Sequence, residues 1–233
     1  MLRRWSDIAD RAGRTGLTRD EQARAHALRQ RLDRALRAGE ETHSGWPELP
    51  PHTDWWWRPD VFTRAVRPGG VTATHSESRL SDDLRIFHDC PDGEILVRQS
   101  RNLRSGEPAG QGLTIDVFRF GGSYLSLVLD IPQTALAALR KRHVLRLETH
   151  VAVERPTEVL ARLNIEHGPN TERLVRDLPP RDALQSVDFD LAATRVDAAR
   201  VGRMWLDLIF ERPHMNGLRV ADLVLSRHPR AEL

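Results

Sequence analysis

From about residue 60 onward, apolar and polar positions alternate. Leu145, Leu147, Thr149, Val151 and Val153 are separated by Arg146, Glu148, His150 and Ala152. Val159, Ala161, Leu163 and Ile165 are separated by Leu160, Arg162 and Asn164, with Glu166 following. Val187, Phe189 and Leu191 enclose Asp188 and Asp190, and Met204, Leu206, Leu208 and Phe210 enclose Trp205, Asp207 and Ile209. A period of two sends successive side chains to opposite sides, so each stretch predicts a strand with one buried face. Further strands are predicted over 61–67, 83–88, 94–100, 113–120, 122–130, 171–177 and 217–227, broken by turns such as Pro91-Asp92-Gly93 and Gly121-Gly122. A short helical turn is expected over Pro132–Arg140, with Pro132 at its first helical position. Long helices do not alternate with these strands, which argues against a parallel α/β sheet. The expected fold is all-β: an antiparallel, jelly-roll-like β-sandwich over residues 61–233.

The first 40 residues read differently, as an α-helical arm. Trp5, Ile8, Ala9 and Ala12 recur at helical spacing, and a second helix opens on the capping box Thr18…Glu21 and ends near Gly39. Its apolar stripe (Ala25, Leu28, Leu32, Ala35, Leu36) is narrow, so this helix needs a surface to lie on. Residues 1–38 hold ten arginines against five acids, +5 within a chain whose net charge is only +2. The acids among these arginines, and the lack of interleaved aromatics, weigh against nucleic acid. Arg24, Leu28, Leu32 and Leu36 are the candidate docking residues for a protein partner. Residues 41–60 follow as a Trp/Pro-rich wrapping segment. Four prolines between 40 and 60 exclude a regular element there, while Trp46, Trp55, Trp56 and Trp57 are expected to pack on the body.

Composition narrows the chemistry. Cys90 is the lone cysteine, so the fold cannot depend on an internal disulfide, and no apolar run is long enough for a membrane helix. No secretory signal follows the first arginines, which predicts synthesis in the cytoplasm, with a virion-like particle as an alternative destination. Glycine-rich phosphate loops, paired cysteine motifs and a nucleophile elbow are all missing, so no cofactor and no catalytic residue is assigned. The run His88-Asp89-Cys90-Pro91-Asp92-Gly93 offers ligand-type residues, yet neighbours in a strand face opposite ways; it reads as a structural hairpin, and no metal is expected.

The candidate glycan face comprises Arg162, Asn164, Glu166, His167, Asn170, Trp205 and Asp207. Planar polar groups on a rigid sheet suit a ligand dense in hydroxyls, and aromatic rings pack on sugar faces. Two other readings stay open for the same residues: a network that braces the sheet, or a glycan hydrolase pairing Glu166 with Asp207 or Glu148 at about 5–10 Å. A cytoplasmic interaction scaffold is a further alternative, and a homo-oligomer is expected.

Ser186–Leu191 followed by Met204–Glu211 and Asn216–Leu225, with the acidic Asp222 in the last segment, resemble the closing strands of jelly-roll carbohydrate-binding modules. That resemblance implies glycan binding without cleavage, often with a structural calcium, although the usual calcium-ligand pattern is not evident here. The Arg-rich helical start, Trp57-Arg58-Pro59 and the turn His167-Gly168-Pro169-Asn170 are also similar to the head-spike base proteins of gene transfer agents, phage-derived particles. This second resemblance implies docking to capsid or spike subunits through residues 1–40, and support for recognition of cell-surface polysaccharide.

Overall fold

The computed structural model describes residues 16–25, 27, 28, 45, 47–104 and 107–230. The chain divides into two units, residues 1–42 and 43–233. In the first unit, residues 19–25 are helical and the capping box is formed. The Glu21 amide donates to Thr18 Oγ1 (3.3 Å) and the Thr18 amide donates to Glu21 Oε2 (3.0 Å), satisfying donors that a helix start leaves open. Arg24 is paired with Asp20 one turn earlier at 2.8 Å, and Leu28 is half-buried. Leu32 and Leu36 lie outside the described residues, as do the predicted first helix and Trp46.

The described residues of the second unit form thirteen strands: β1 (Trp55–Trp57), β2 (Gly70–Thr72), β3 (Glu77–Arg79), β4 (Leu84–His88), β5 (Ile95–Arg101), β6 (Gln111–Val117), β7 (Tyr124–Asp130), β8 (His143–Val153), β9 (Val159–His167), β10 (Asn170–Asp177), β11 (Leu184–Asp190), β12 (Val201–Glu211) and β13 (Asn216–Pro229). They form two sheets. The first runs β11-β8-β13-β6-β5-β2, with β1 also on β13; the second runs β10-β9-β12-β7-β4-β3. Every pairing is antiparallel. The alternation in the sequence is realised as a sandwich core. Leu145, Leu147, Val151, Leu223 and Leu225 of the first sheet meet Leu127, Leu129, Ala161, Leu163, Leu206 and Leu208 of the second in one buried cluster. The fold is thus an all-β sandwich, as the periodicity implies.

Three local expectations are corrected. Residues 61–67 do not form a strand: Asp60–Thr63 is a single helical turn that buries Val61 and Phe62, closed by the Arg64 amide on the Asp60 carbonyl. Between Pro132 and Arg140 only Gln133–Ala135 is helical, as one 3-10 turn with Pro132 at its N-cap. The third correction concerns the tryptophan run, which is a strand despite its prolines. β13 is fourteen residues long and gives β6 only Asn216–Val220. Beyond that point its edge is open, and Trp55–Trp57 pair there with Leu225–Arg227. Trp55 and Trp57 pack on the core, whereas Trp56 lies opposite Ser226 on the outer side.

The departure of β13 from β6 occurs at a bulge between Val220 and Asp222. Asn102 fills it, its Nδ2 donating to the carbonyls of Ala221 (2.6 Å), Ala109 (2.9 Å) and Gln111 (3.0 Å). Gly112 lies against this junction, where a Cβ would stand 2.6 Å from Asn102 Oδ1 and 3.1 Å from the Val220 carbonyl oxygen. Only glycine permits that approach.

Candidate functional site

The outer face of the second sheet gathers most of the polar residues singled out in the sequence. Along β9 the inward positions are Val159, Ala161, Leu163 and Ile165, leaving Leu160, Arg162, Asn164 and Glu166 outside. Register then places Trp205 of β12 between Asn164 and Asp130, Asp207 between Arg162 and Val128, and Arg203 beside Glu166. On β4, Arg85 lies opposite Val128 and Phe87 opposite Ser126.

These residues fall into two groups. In the first, Arg162 brings Nε (2.7 Å) and Nη2 (2.6 Å) to Asp207 Oδ2, and Asn164 Nδ2 donates to the same oxygen at 3.0 Å. Asp207 is buried, with a side chain 3% exposed. Its charge is met by the guanidinium and the carboxamide, as a buried carboxylate requires. This group braces the sheet. The second group faces outward. The Arg203 guanidinium stacks 5.1 Å over the half-buried Trp205 ring, and its Nη2 donates to Asp130 Oδ1 at 2.6 Å. Asp130 Oδ2 is 3.1 Å from Arg85, which itself lies 5.4 Å over Phe87. Two arginine–aromatic stacks are therefore held by one carboxylate. Glu166 is exposed beside them, and its side chain has no hydrogen bond or ion pair with a described residue.

His167 and Asn170 do not join this face. His167 follows the inward series of β9, is buried, and accepts the Asp197 amide on Nδ1 at 3.4 Å. Asn170 is its partner across the β9–β10 turn and is exposed at the tip. The second carboxylate considered for hydrolysis is also displaced. Glu148 projects from β8 in the first sheet, opposite Val224 and Ser186, so it stands across the sandwich from Glu166. Asp207, the other candidate, is already committed to Arg162 and Asn164. Arg203, Asp130 and Arg85 went unnoticed in the sequence, although Arg203 shares the parity of Trp205 and Asp207 and was readable from it.

The His88–Gly93 run is structural. His88 is buried in the core, edge-on to Phe120 with ring centroids 6.0 Å apart. Asp89 turns the other way and accepts the Ser123 and Tyr124 amides on Oδ1 (2.7 and 3.2 Å) and the Ser123 hydroxyl on Oδ2 (2.5 Å). Burial acts to raise its pKa, but the hydrogen bonds from Ser123 and Tyr124 prevail and lower it. Among the described residues no group of three or more His, Cys, Asp or Glu could hold a metal ion, and no helix is long and apolar enough to cross a membrane. A hollow of about 580 Å³ lined by Val153, Glu154, Pro156, Thr157, Glu158 and Pro180 holds none of the candidate residues.

Glu148 carries a different signal. Burial raises its pKa above the usual 4.5, and the nearby carboxylates Glu48, Asp222 and Asp188 add to the rise despite Arg146. Between 4.5 and that raised value the folded state holds more protons than the unfolded state, so this residue lowers stability as pH rises through the window. Glu148→Gln is expected to raise the melting temperature at pH 7.5. The gain should shrink to nothing below about pH 4, where both states of the wild-type residue are protonated. Thermal melts of the two proteins across pH check this.

Solved structures with similar backbones include the enzymatically active domain of bacteriophage CBA120 tailspike protein 4, with a TM-score of 0.45 and 9% identity over 69% of this chain and 21% of that one. The chain thus spans about a fifth of the tailspike domain. The family 11 carbohydrate-binding module of Clostridium thermocellum, in complex with a mixed-linked tetrasaccharide, gives 0.43 and 9% over 66% of this chain and 92% of the module. The CBM22-1 xylan-binding domain of Paenibacillus barcinonensis Xyn10C gives 0.40 and 7% over 78% and 100%. No curated protein matches the chain. A family model, by contrast, covers residues 1–233, arm and sandwich together, and by that match the chain belongs to the family of unknown function DUF6478.

Proposed function

We propose that the sandwich is a non-catalytic polysaccharide-binding module whose binding surface is the outer face of the second sheet. The observation that carries this reading is the Trp205–Arg203–Asp130–Arg85–Phe87 array with the unengaged Glu166 beside it. Two aromatic rings offer apolar surface to the C–H faces of a sugar, while fixed guanidinium and carboxylate groups meet its hydroxyls in two-point geometry. Asp207, Arg162 and Asn164 act beneath this layer by holding β9 and β12 in register. Of the two carboxylates that could pair with Glu166, Asp207 is engaged by Arg162 and Asn164 and Glu148 lies on the other sheet, which favours binding over hydrolysis. In the same proposal the basic N-terminal unit, with Arg24 and Leu28 on its capped helix, attaches the module to a protein assembly such as the capsid or spike of a phage-like particle.

The test is affinity electrophoresis of the full chain through gels containing mixed-linkage glucan, xylan, galactan or a bacterial capsular polysaccharide. At least one polymer should retard the protein without release of reducing ends. Trp205→Ala is expected to weaken that binding roughly ten- to a hundredfold. The exposed substitution Glu166→Gln should weaken it less and leave the melting temperature unchanged. Migration unaffected by every polymer tested overturns the proposal.

A further inference from the structure

β10 is the outermost strand of the second sheet, and its sequence has a symmetry that its own partner strand does not use. The β9–β10 hairpin closes on a two-residue turn, Gly168-Pro169, with Gly168 at φ 60° and His167 opposite Asn170. Ladder bonds alternate from this closing pair. Asn170, Glu172, Leu174 and Arg176 therefore point their backbone groups toward β9. Thr171, Arg173, Val175 and Asp177 point theirs to the free edge. The Val175 carbonyl agrees with this assignment, since it accepts the Arg176 Nη1 at 2.8 Å instead of an amide from β9. These four edge residues are exposed, as is Asn170 at the turn. Arg173 and Asp177 have no ion pair with any described residue.

Read along the edge, the four residues are Thr, Arg, Val and Asp. A twofold axis through Val175 sets Val175 against its copy. It also sets Arg173 against Asp177 of the second copy, twice by symmetry. Among the other twofold registers, an axis through Leu174 sets Arg173 against Val175 and Thr171 against Asp177 and gains no ion pair, and two more fail on charge. An axis through Arg173 opposes two arginines, and an axis through Asp177 opposes two aspartates. Pro179, which has no amide, ends the pairing two residues past Asp177. We propose that a second copy of this chain docks here, antiparallel, β10 against β10. Two six-stranded sheets then become one of twelve strands, with about six backbone hydrogen bonds across the junction. Two Arg173–Asp177 ion pairs set the register on its outer face. The Arg176 side chain, which now covers the Val175 carbonyl, rotates away as the copy arrives. Its second contact, Nε on the Asp188 carbonyl at 2.9 Å, retains it on the sandwich.

Sedimentation velocity of the full chain over a concentration series tests this independently of any polysaccharide. The wild type is expected to form dimers at high protein concentration, less readily as salt is raised. Arg173→Asp and Asp177→Arg each put like charges opposite one another twice, and each should raise the dimer dissociation constant by roughly tenfold or more. The double exchange Arg173→Asp/Asp177→Arg restores opposite charges and should return the constant toward the wild-type value. Both substituted positions are exposed, so melting temperatures at monomer concentration should stay the same. A wild type that remains monomeric overturns the proposal. So does a dimer indifferent to the single reversals, or one that the double exchange fails to restore.

Discussion

Arg58→Ala is expected to destabilise the sandwich by about 3–5 kcal/mol, read as a drop in the urea midpoint at unchanged slope. Arg58 follows the tryptophan strand and reaches Asp222 at the bulge of β13. Its Nη2 donates to Asp222 Oδ2 at 3.0 Å, while Nε lies 2.9 Å from Oδ1 as an ion-pair contact outside hydrogen-bond geometry. Nη1 donates to the Gly45 carbonyl at 3.0 Å, and the Leu223 amide donates to Asp222 Oδ1 at 2.8 Å. The two side chains are 3% and 2% exposed. Burial raises the Asp222 pKa, and Arg58 offsets part of that rise. Removing the guanidinium therefore leaves a carboxylate with no counter-ion in an apolar surround, which is where the large cost arises. The carboxyl then takes up a proton more readily, so the defect of the variant should grow as pH rises and narrow in acid. The double substitution Arg58→Met/Asp222→Leu removes both charges and should recover most of the loss. A single-variant cost below about 1 kcal/mol would show that the tryptophan segment is not locked through this pair.

A comparable loss, about 3 kcal/mol, is expected for Arg227→Ala, for a different reason. Arg227 is an inward position of β13 between the sheets, with a side chain 4% exposed. Its Nη1 donates to the carbonyls of Ala135 (2.6 Å) and Ala137 (2.7 Å), and its Nε donates to Asp54 Oδ1 (2.8 Å). One guanidinium thus satisfies the 132–139 connection and anchors the residue before β1. The partners are unequal, because Asp54 is 42% exposed and water can replace the arginine there. Asp54→Asn should consequently cost under about 1 kcal/mol, whereas the buried Ala135 carbonyl has no substitute donor. Arg227→Lys should not rescue, since a single ammonium cannot span both carbonyls and the carboxylate. Chemical denaturation of the three variants separates these outcomes; equal costs for Arg227→Ala and Asp54→Asn would refute the carbonyl argument.

Both arginines illustrate how much of the site was legible beforehand. The parity of β9 and β12 was visible in the sequence, and with it the placement of Arg162, Asn164, Glu166, Trp205 and Asp207 on one side of their strands. Parity says which way a side chain points but not which strand lies next to it. Asp130 could be brought to Arg203, and Glu148 carried away from Glu166, only by the assignment of β7 and β8 to different sheets. The same gap hid β1. Three tryptophans among prolines have no strand pattern of their own, and their pairing depends on an edge of β13 left open by a bulge many residues away.

The chain alone determined the class of fold, because alternation over so many short segments can bury its apolar side only by stacking sheets. It also determined the capped helix at Thr18, whose donors and acceptors lie within four residues of one another. Which polar residues brace the sandwich and which remain exposed was decided by the tertiary structure. Asp207 is consumed by neighbours across two strands and Glu166, on the same face, is not, a difference set by register between distant segments and absent from the local pattern.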